Sequence, residues 1–439
     1  MPLQHPLSTL MPLQRPQSNR MPAQKPQAER GLVSDRGRGR HRVFQRPARR
    51  GAAFLAVGLL LLAAFLAGPV KAQTTVRFAT FNVAMGLEKE GELAERLESG
   101  DDEGLQKFAA ILQLKRPDVL LINEFDYQEG VDAAALFNDN YLAVSQRGED
   151  PIDYPYSFRA PVNTGVDSGE DLDGDGQTGG PGDALGYGAF PGQYGMLVLS
   201  RYPIDEDGVR TFRRFLWSDM PGALRPYRNR REPFWSDDIW YTLPLSSKSH
   251  WDVPIQVDRF HVVRFLASHP TPPVFDGDED RNGRRNHDET RFWVDYTSQG
   301  DGRYIYDDNG RQGGVERGKV WVLAGDLNSD PSDGDSIDAA IEELVTSNTA
   351  NRSCIPSSAG ALEASRRQGG ENARHRGNPR FDTSDFNDET PGNLRVDYLL
   401  TARRTDVTGC GVFWPASDEP HADLVDFSDH RLVWMDVEL

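Results

Sequence analysis

Residues 76–125 read VRFATFNVAMGLEKEGELAERLESGDDEGLQKFAAILQLKRPDVLLINEF, and their pattern decides the fold class. VRFATFNV (76–83) carries the β-branched and aromatic residues that strands favour. From Gly104 to Lys115, the apolar residues Leu105, Phe108, Ala109 and Leu112 fall at i, i+3, i+4 and i+7, one face of a helix. Pro117 ends that helix, and DVLLINEF (118–125) is the apolar run of a buried strand. A strand–helix–strand unit results. Further along, QYGMLVLS (193–200) reads as a strand stopped by Tyr202-Pro203, and FHVVRFLASH (260–269) as one ending at Pro270. KVWVLAG (319–325), NLRVDYLL (393–400) and HRLVWMDVEL (430–439) read likewise, while Ile337, Ile341, Leu344 and Val345 mark a second helix face. Many strands interleaved with few helices predict two packed sheets flanked by helices.

Charge is distributed unevenly along the 439 residues. The chain carries −18, from 49 Lys and Arg against 67 Asp and Glu. Residues 1–72 hold 12 basic and 2 acidic residues, which leaves −28 on residues 73–439. A generally basic body held to DNA by counterion release is thereby excluded, though a local basic groove is not. Residues 1–50 comprise three Pro/Gln-rich decapeptides and the Arg-rich RGRGRHRVFQRPARR (36–50), a leader with no apolar spacing for a core. Residues 51–72 follow as the apolar region of a signal peptide, with Val70 and Ala72 as the small residues before cleavage. The expectation is a secreted or periplasmic protein with no stable membrane association after cleavage. The alternative is an uncleaved membrane anchor. In an exported protein, Cys354 and Cys410 can pair, the alternative being two buried thiols. Residues 73–439 form the folded domain, interrupted by insertions near 148–192, 205–255 and 356–392.

Polar residues recur where the strands end. Asn82 and Glu124 close the first two strands, and His269 closes the 260s strand. Asp326 and Asn328 follow KVWVLAG, Asp397 lies in NLRVDYLL, and Asp429 and His430 precede the last strand. Strand ends that share one sheet edge bring distant residues into one cleft. Glu124 and a nearby Asp suit Mg²⁺, which takes one or two carboxylates plus water and substrate phosphate. A carboxylate such as Asp326 can orient and deprotonate water. His430, held by a carboxylate such as Asp397, can stabilise charge on a phosphate. Asn82 and Asn328 place oxygens without adding charge.

FNV (81–83), INEF (122–125), GMLVLSRYPI from Gly195, SHP (268–270), AGDLNSDP from Ala324, VDYLL (396–400) and SDH (428–430) occur in this order. Together they resemble the endonuclease/exonuclease/phosphatase superfamily, to which DNase I and the neutral sphingomyelinases belong, from about residue 76 to 439. The resemblance implies an α/β fold, a four-layer α/β/β/α sandwich, and phosphoester hydrolysis dependent on Mg²⁺ or Mn²⁺. It implies Asn82, Glu124 and Asp429 on the metal side. His269 would act against the phosphate, Asp326 as base with Asn328 as its phosphate-positioning partner, and His430 as the last histidine, oriented by Asp397. Ala84 departs from the acidic residue that abasic-site endonucleases carry two positions after the asparagine, which puts a second metal position in doubt.

Two further features bear on ligands. Asp171, Asp173 and Asp175 in DLDGDG begin like a calcium loop, but Gly182 stands where an EF-hand needs Glu, leaving a non-standard calcium site or a solvated acidic loop. From Arg210 to Trp235, seven arginines alternate with aromatics, a pattern suited to stacking on bases and binding phosphates, or to packing through arginine stems. Arg213, Arg214 and Arg228 are the candidate substrate contacts. A phosphoester substrate, first a nucleic acid, is therefore expected, and no protein partner. A phosphomonoester or a lipid head group is the runner-up, and a non-catalytic binding module the reading from another class. In RRNHDET (284–290), His287 is a looser candidate, the alternative being a helix start with Asn286 as N-cap.

Overall fold

The structure is a computed structural model and describes residues 74–439. The leader (1–50) and the signal-peptide region (51–72) lie outside the described residues. The strands are β1 (Thr75–Met85), β2 (Val119–Phe125), β3 (Tyr156–Phe158), β4 (Met196–Ser200), β5 (Arg210–Thr211), β6 (Tyr227–Asn229), β7 (Glu232–Pro233), β8 (His250–Gln256), β9 (Val262–Ser268), β10 (Val320–Asp326), β11 (Asp397–Thr401), β12 (Asp406–Val412) and β13 (Val433–Glu438). One sheet has the order β12-β13-β1-β2-β4-β3, a second β11-β10-β9-β8-β5, and β6-β7 is a separate ribbon. β1 and β2 are parallel, joined through the predicted helix, which spans Glu103–Lys115. Asp102 caps that helix by accepting the Leu105 N–H.

Strand alternation sorts the core into layers. In the first sheet Val76, Phe78, Val119, Leu121, Met196 and Val198 face inward, where they meet Val263, Phe265, Val322 and Leu399 of the second. The alternate residues Ala79, Phe81, Leu120, Ile122, Leu197 and Leu199 face outward onto Leu105, Phe108 and Leu112 of the Glu103–Lys115 helix. On the far side, Leu266, Trp321, Leu323, Tyr398 and Leu400 pack against Phe292, Trp293 and Tyr296 of the Arg281–Thr297 helix and Ile341 and Leu344 of the Asp338–Thr346 helix. Helices, sheet, sheet and helices make the four-layer α/β/β/α sandwich. Among the described residues no helix is long and apolar enough to cross a membrane.

Three expectations need correction. Residues 205–255 are not purely an insertion, because they supply β5 and β8 to the second sheet. The polar residues between these strands masked their alternation. Asn286 is not a helix cap; it is fully buried inside the Arg281–Thr297 helix, which begins five residues earlier behind Asp280. Most aromatics of the 210–235 stretch offer no stacking surface: Phe212, Trp217 and Trp235 are core whereas Tyr227 is exposed, and Arg210 is buried against Asp307 at 2.7 Å. Cys354 and Cys410 form a disulfide that ties the segment after the Asp338–Thr346 helix to β12.

Candidate active site

Topology places the candidate residues on one edge of the sandwich. Parallel strands β1, β2, β9 and β10 all finish there, with Asn82 and Glu124 near the ends of β1 and β2, Asp326 last in β10, and His269 just past β9. β11 runs antiparallel to β10, so its first residue, Asp397, pairs in register with Asp326. β13 runs antiparallel to β1, and His430 lies just before it.

The backbone is distorted at this edge. Glu124 (φ 53°) and Asn328 (φ 51°) adopt the left-handed region, as does Ala84 (φ 50°) beside a bulge in the β1–β2 pairing. Positive φ in residues other than glycine is uncommon, and such strain persists where the surrounding structure enforces it. Gly325 is required by space: a Cβ there would sit 2.2 Å from the Ser268 carbonyl oxygen.

Asn82 stands at the centre. Its Nδ2 donates to Glu124 Oε1 and to Asp326 Oδ2, both at 3.0 Å, and its Oδ1 accepts the Ala84 N–H. Asp326 Oδ2 is also 3.5 Å from His269 Nε2 and 3.6 Å from His430 Nε2, while its Oδ1 accepts the Asn328 N–H at 2.8 Å. On its far nitrogen, His430 Nδ1 meets Asp397 Oδ2 at 2.9 Å. Asn328 Nδ2 donates to the Pro270 carbonyl at 3.1 Å. Both ring nitrogens of His269 are buried without a hydrogen-bond partner. A buried polar atom left unpaired costs free energy, so such a pair marks a site built for a further ligand.

Electrostatics follow from burial and crowding. Burial pushes the Glu124 and Asp326 carboxyls up, and burial together with Lys248 and His430 pushes the His269 imidazole well down. Burial also opposes charge on His430, but Asp397 and Asp326 outweigh it and hold the ring charged up to about 10. One neutral and one cationic imidazole thus flank the same carboxylate.

A divalent cation fits these residues. A carboxylate oxygen from each of Glu124 and Asp326 lies with a nitrogen of His269 inside a 4.8 Å cluster, and their pairing otherwise rests on one amide. Hard oxygen donors of this kind suit Mg²⁺ or Mn²⁺. Asp429 is exposed and, among the described residues, joins neither this cluster nor that of Asp326, Asp397 and His430.

Several residues that shape the site are not evident from the motifs. Asn123 bridges the two sheets, since its Oδ1 accepts the Asp326 N–H at 3.2 Å and its Nδ2 donates to the Ser268 carbonyl at 3.4 Å. Ser428 Oγ donates to the Asn82 carbonyl and accepts the His430 N–H. Asn286 Nδ2 donates to the carbonyls of Thr271 and Leu327, and Glu289 accepts the Ser247 and Thr271 N–H groups at 2.6 Å each. The Arg281–Thr297 helix thereby pins the loops that carry His269 and Asp326. Its buried polar residues share a face with Trp293 and Tyr296, and that spacing is the signal that could have found them.

The remaining predicted contacts lie elsewhere. Arg213 and Arg214 belong to a turn whose backbone N–H groups donate to Asp308. Arg214 and Arg228 are exposed, and the Arg228 guanidinium stacks on Phe234. His287 Nδ1 bonds Asp288, which also accepts from Trp217 and Leu224, a structural arrangement. The carboxylates of Asp171, Asp173 and Asp175 do converge, but they accept N–H groups of Gly174, Gly176, Asp175 and Gln177 and so close their own loop.

Residues 79–430 match the model of the Endonuclease/Exonuclease/phosphatase family. Among solved structures, the chain is similar to an endonuclease/exonuclease/phosphatase from Beutenbergia cavernae DSM 12333 at 19% identity and a TM-score of 0.47, covering 83% of this chain and 72% of that one. TDP2 from Caenorhabditis elegans is similar at 14% identity and TM-score 0.39, covering 89% and 82%. Sphingomyelinase C from Streptomyces griseocarneus is similar at 16% and 0.37, covering 83% and 99%. No curated protein matches the chain. The family match spans well over half of the chain and takes in every strand-end residue of the cluster, so this protein belongs to the endonuclease/exonuclease/phosphatase family.

Proposed function

We propose that this chain is an exported, divalent-metal-dependent phosphoester hydrolase whose first substrate class is the phosphodiester, with nucleic acid the leading example. One observation carries the reading. Asp326 is buried between a charged histidine and a neutral one that has no hydrogen-bond partner among the described residues, while the Glu124 carboxylate and the Asn82 amide complete the cluster beside it. Members of this family are typically phosphoester hydrolases. The disulfide supports export, because such bonds persist in oxidising compartments. Exposed Arg214 and Arg228 support a polyanionic substrate, although Phe212, Phe215 and Phe234 near them belong to the core.

In the proposed reaction, Asp326 orients a water in line with the scissile bond and takes its proton. Asn328 fixes that carboxylate through its N–H and offers its side-chain amide toward the phosphate. His430, kept charged by Asp397, donates from Nε2 to the oxygen on which negative charge grows. Glu124, with Asp326 and His269 nearby, would hold Mg²⁺ or Mn²⁺. When bound, the cation supplies charge neutralisation and polarises the phosphoryl oxygen.

The test offers the purified protein plasmid DNA, a small phosphodiester, a phosphomonoester and a sphingolipid in parallel, with Mg²⁺, Mn²⁺ or EDTA. Metal-dependent cleavage that Asp326→Asn abolishes is the expected result. Metal binding without turnover of any of the four would leave a non-catalytic binding module and end the hydrolase reading.

A further inference from the structure

Lys248 stands beside this site and has no part in the roles above. It lies in the Ser246–Ser249 segment just before β8 and is 5% exposed. A buried ammonium without a close counter-ion is costly. Yet among the described residues Nζ makes one hydrogen bond, a 3.5 Å approach to the Pro270 carbonyl. The charges that face it are Glu289, Glu124, Asp326 and Arg285, all acting at longer range than a hydrogen bond.

Glu289, the acidic group that acts on it most strongly, is already engaged. Glu289 Oε1 accepts from the Ser247 N–H and hydroxyl, and its Oε2 from the Thr271 N–H. Arg285 is likewise committed, to the carbonyls of Leu245, Leu185 and Pro244. Lys248 itself is held in place through its backbone. Its carbonyl accepts the Asn163 N–H at 3.0 Å, and Asn163 Nδ2 donates to the Ser246 carbonyl at 2.8 Å. Gly186 packs so closely that a Cβ there would sit 1.9 Å from the Ser247 carbonyl oxygen. The 148–192 insertion thus fixes the lysine's position rather than merely decorating the surface.

Lys248 Nζ and Asn328 Nδ2 converge on the same carbonyl oxygen, that of Pro270. Each group has N–H bonds to spare. The two therefore form a donor pair next to Asp326, in a site otherwise crowded with carboxylates. We propose that Lys248 is a substrate-positioning residue whose ammonium binds a non-bridging oxygen of the phosphoryl group that Asn328 also orients. This rests on the hydrolase reading above and deepens it by naming a second phosphate-binding cation alongside His430.

A purely charge-balancing lysine and a phosphate-binding lysine respond differently to neutralisation. Removing the positive charge beside Glu124 and Asp326 leaves Mn²⁺ affinity equal or tighter in both cases. Only the phosphate-binding role also weakens a phosphoryl oxyanion. The experiment compares wild type with Lys248→Met and Lys248→Gln, the second retaining a donor toward Pro270. Melting temperature, Mn²⁺ affinity by calorimetry, inhibition by inorganic phosphate, and kcat and KM on a small phosphodiester are measured. The expected result is a folded variant with unimpaired Mn²⁺ binding, inhibition by phosphate weakened by about tenfold to a hundredfold, and KM raised to a similar extent, as for loss of one charge-assisted hydrogen bond. Unchanged phosphate inhibition and unchanged KM in an otherwise active protein overturn the assignment. Loss of fold in both variants also overturns it, by making the lysine structural. A wild type that neither binds Mn²⁺ nor turns over any phosphoester refutes the hydrolase reading instead, so the two failures are distinguishable.

Discussion

Asp397→Asn isolates the charge on His430. The Asp397 carboxylate lies 2.9 Å from His430 Nδ1, and both side chains are buried. Burial alone would drive the imidazole neutral; the carboxylates of Asp397, Asp326 and Asp429, in that order, reverse this and hold the ring charged up to about 10, against an ordinary value of 6.5. That interval corresponds to an upper bound of roughly 5 kcal/mol at 1.36 kcal/mol per tenfold. Asp397 is the largest favourable contributor, and a hydrogen bond to a charged group contributes about 1.5–3 kcal/mol, so removing its charge should lower the titration of His430 by about one to two pH values. The assay is kcat/KM against pH from 5.5 to 10.5 at saturating metal. In wild type the alkaline limb should fall near 10. In Asp397→Asn it should fall about one to two pH values lower, so that the loss is modest at pH 6.5 and reaches up to about tenfold at pH 9. Stability carries the same signature. Because the folded value is raised, the contribution of His430 is fully present below about 6.5 and is lost as pH rises through about 10. Parallel pH profiles for the two proteins would refute the assignment of a cationic His430.

Other outcomes are expected as follows. Mn²⁺ or Mg²⁺ should raise the denaturation midpoint, by about 2.7 kcal/mol of stability at a hundredfold excess over Kd. Because burial raises the Glu124 and Asp326 carboxyls, protons compete with the cation, and calorimetry should show weaker binding at pH 5.5 than at 7.5. Reducing the Cys354–Cys410 bridge, which spans 56 residues, should cost roughly 2–4 kcal/mol in urea melts. Asp382 is buried, and burial, then Asp330 and Asp333, hold its proton up to about 8. The unfolded chain releases that proton near 4, so wild-type stability should fall as pH rises from 4 to 8. Asp382→Asn should remove this slope and gain at least about 1 kcal/mol on wild type between pH 5 and pH 8, read by urea titration at both.

The layers were legible because alternation at period two is a local property. Val119 and Leu121 on one face and Leu120 and Ile122 on the other can be read from four letters, and each face proves to pack on a different layer. β8 and β12 were not legible for the converse reason. HWDVPIQ mixes a buried Asp and a Pro into its strand, and DVTGCGV at the sheet edge offers glycines in place of an apolar face. Their pairing partners, β9 and β13, supply the hydrogen bonds that local propensity does not indicate. The 210–235 stretch failed by the same logic. Arginines beside aromatics look like a nucleic-acid surface, yet Arg210 is buried by four donors to Asp307, Tyr296, Gly313 and Arg311, and its neighbours fill the outer core.

The site divides along a similar line. Asn82, Glu124, His269, Asp326, Asn328, Asp397 and His430 announced themselves because a strand end is a conspicuous place for a polar residue. Asp429, adjacent to His430, satisfied the same cue and is nonetheless exposed, because it sits in a bend ahead of β13 rather than at a strand end. What could not be read is the support beneath these residues. Asn123 follows four buried apolar residues of β2 and looks like the start of a turn, yet it spans the two sheets and fixes the Asp326 backbone. Glu289 sits among charged residues in a helix and looks solvated, yet it fastens residues 247 and 271 through their backbone N–H groups. A buried polar residue is identified by the donors and acceptors it meets, and those come from segments as far as 346 residues away. Sequence position reveals which groups are presented to a substrate, whereas only the assembled fold reveals which groups hold them at the distances the chemistry requires.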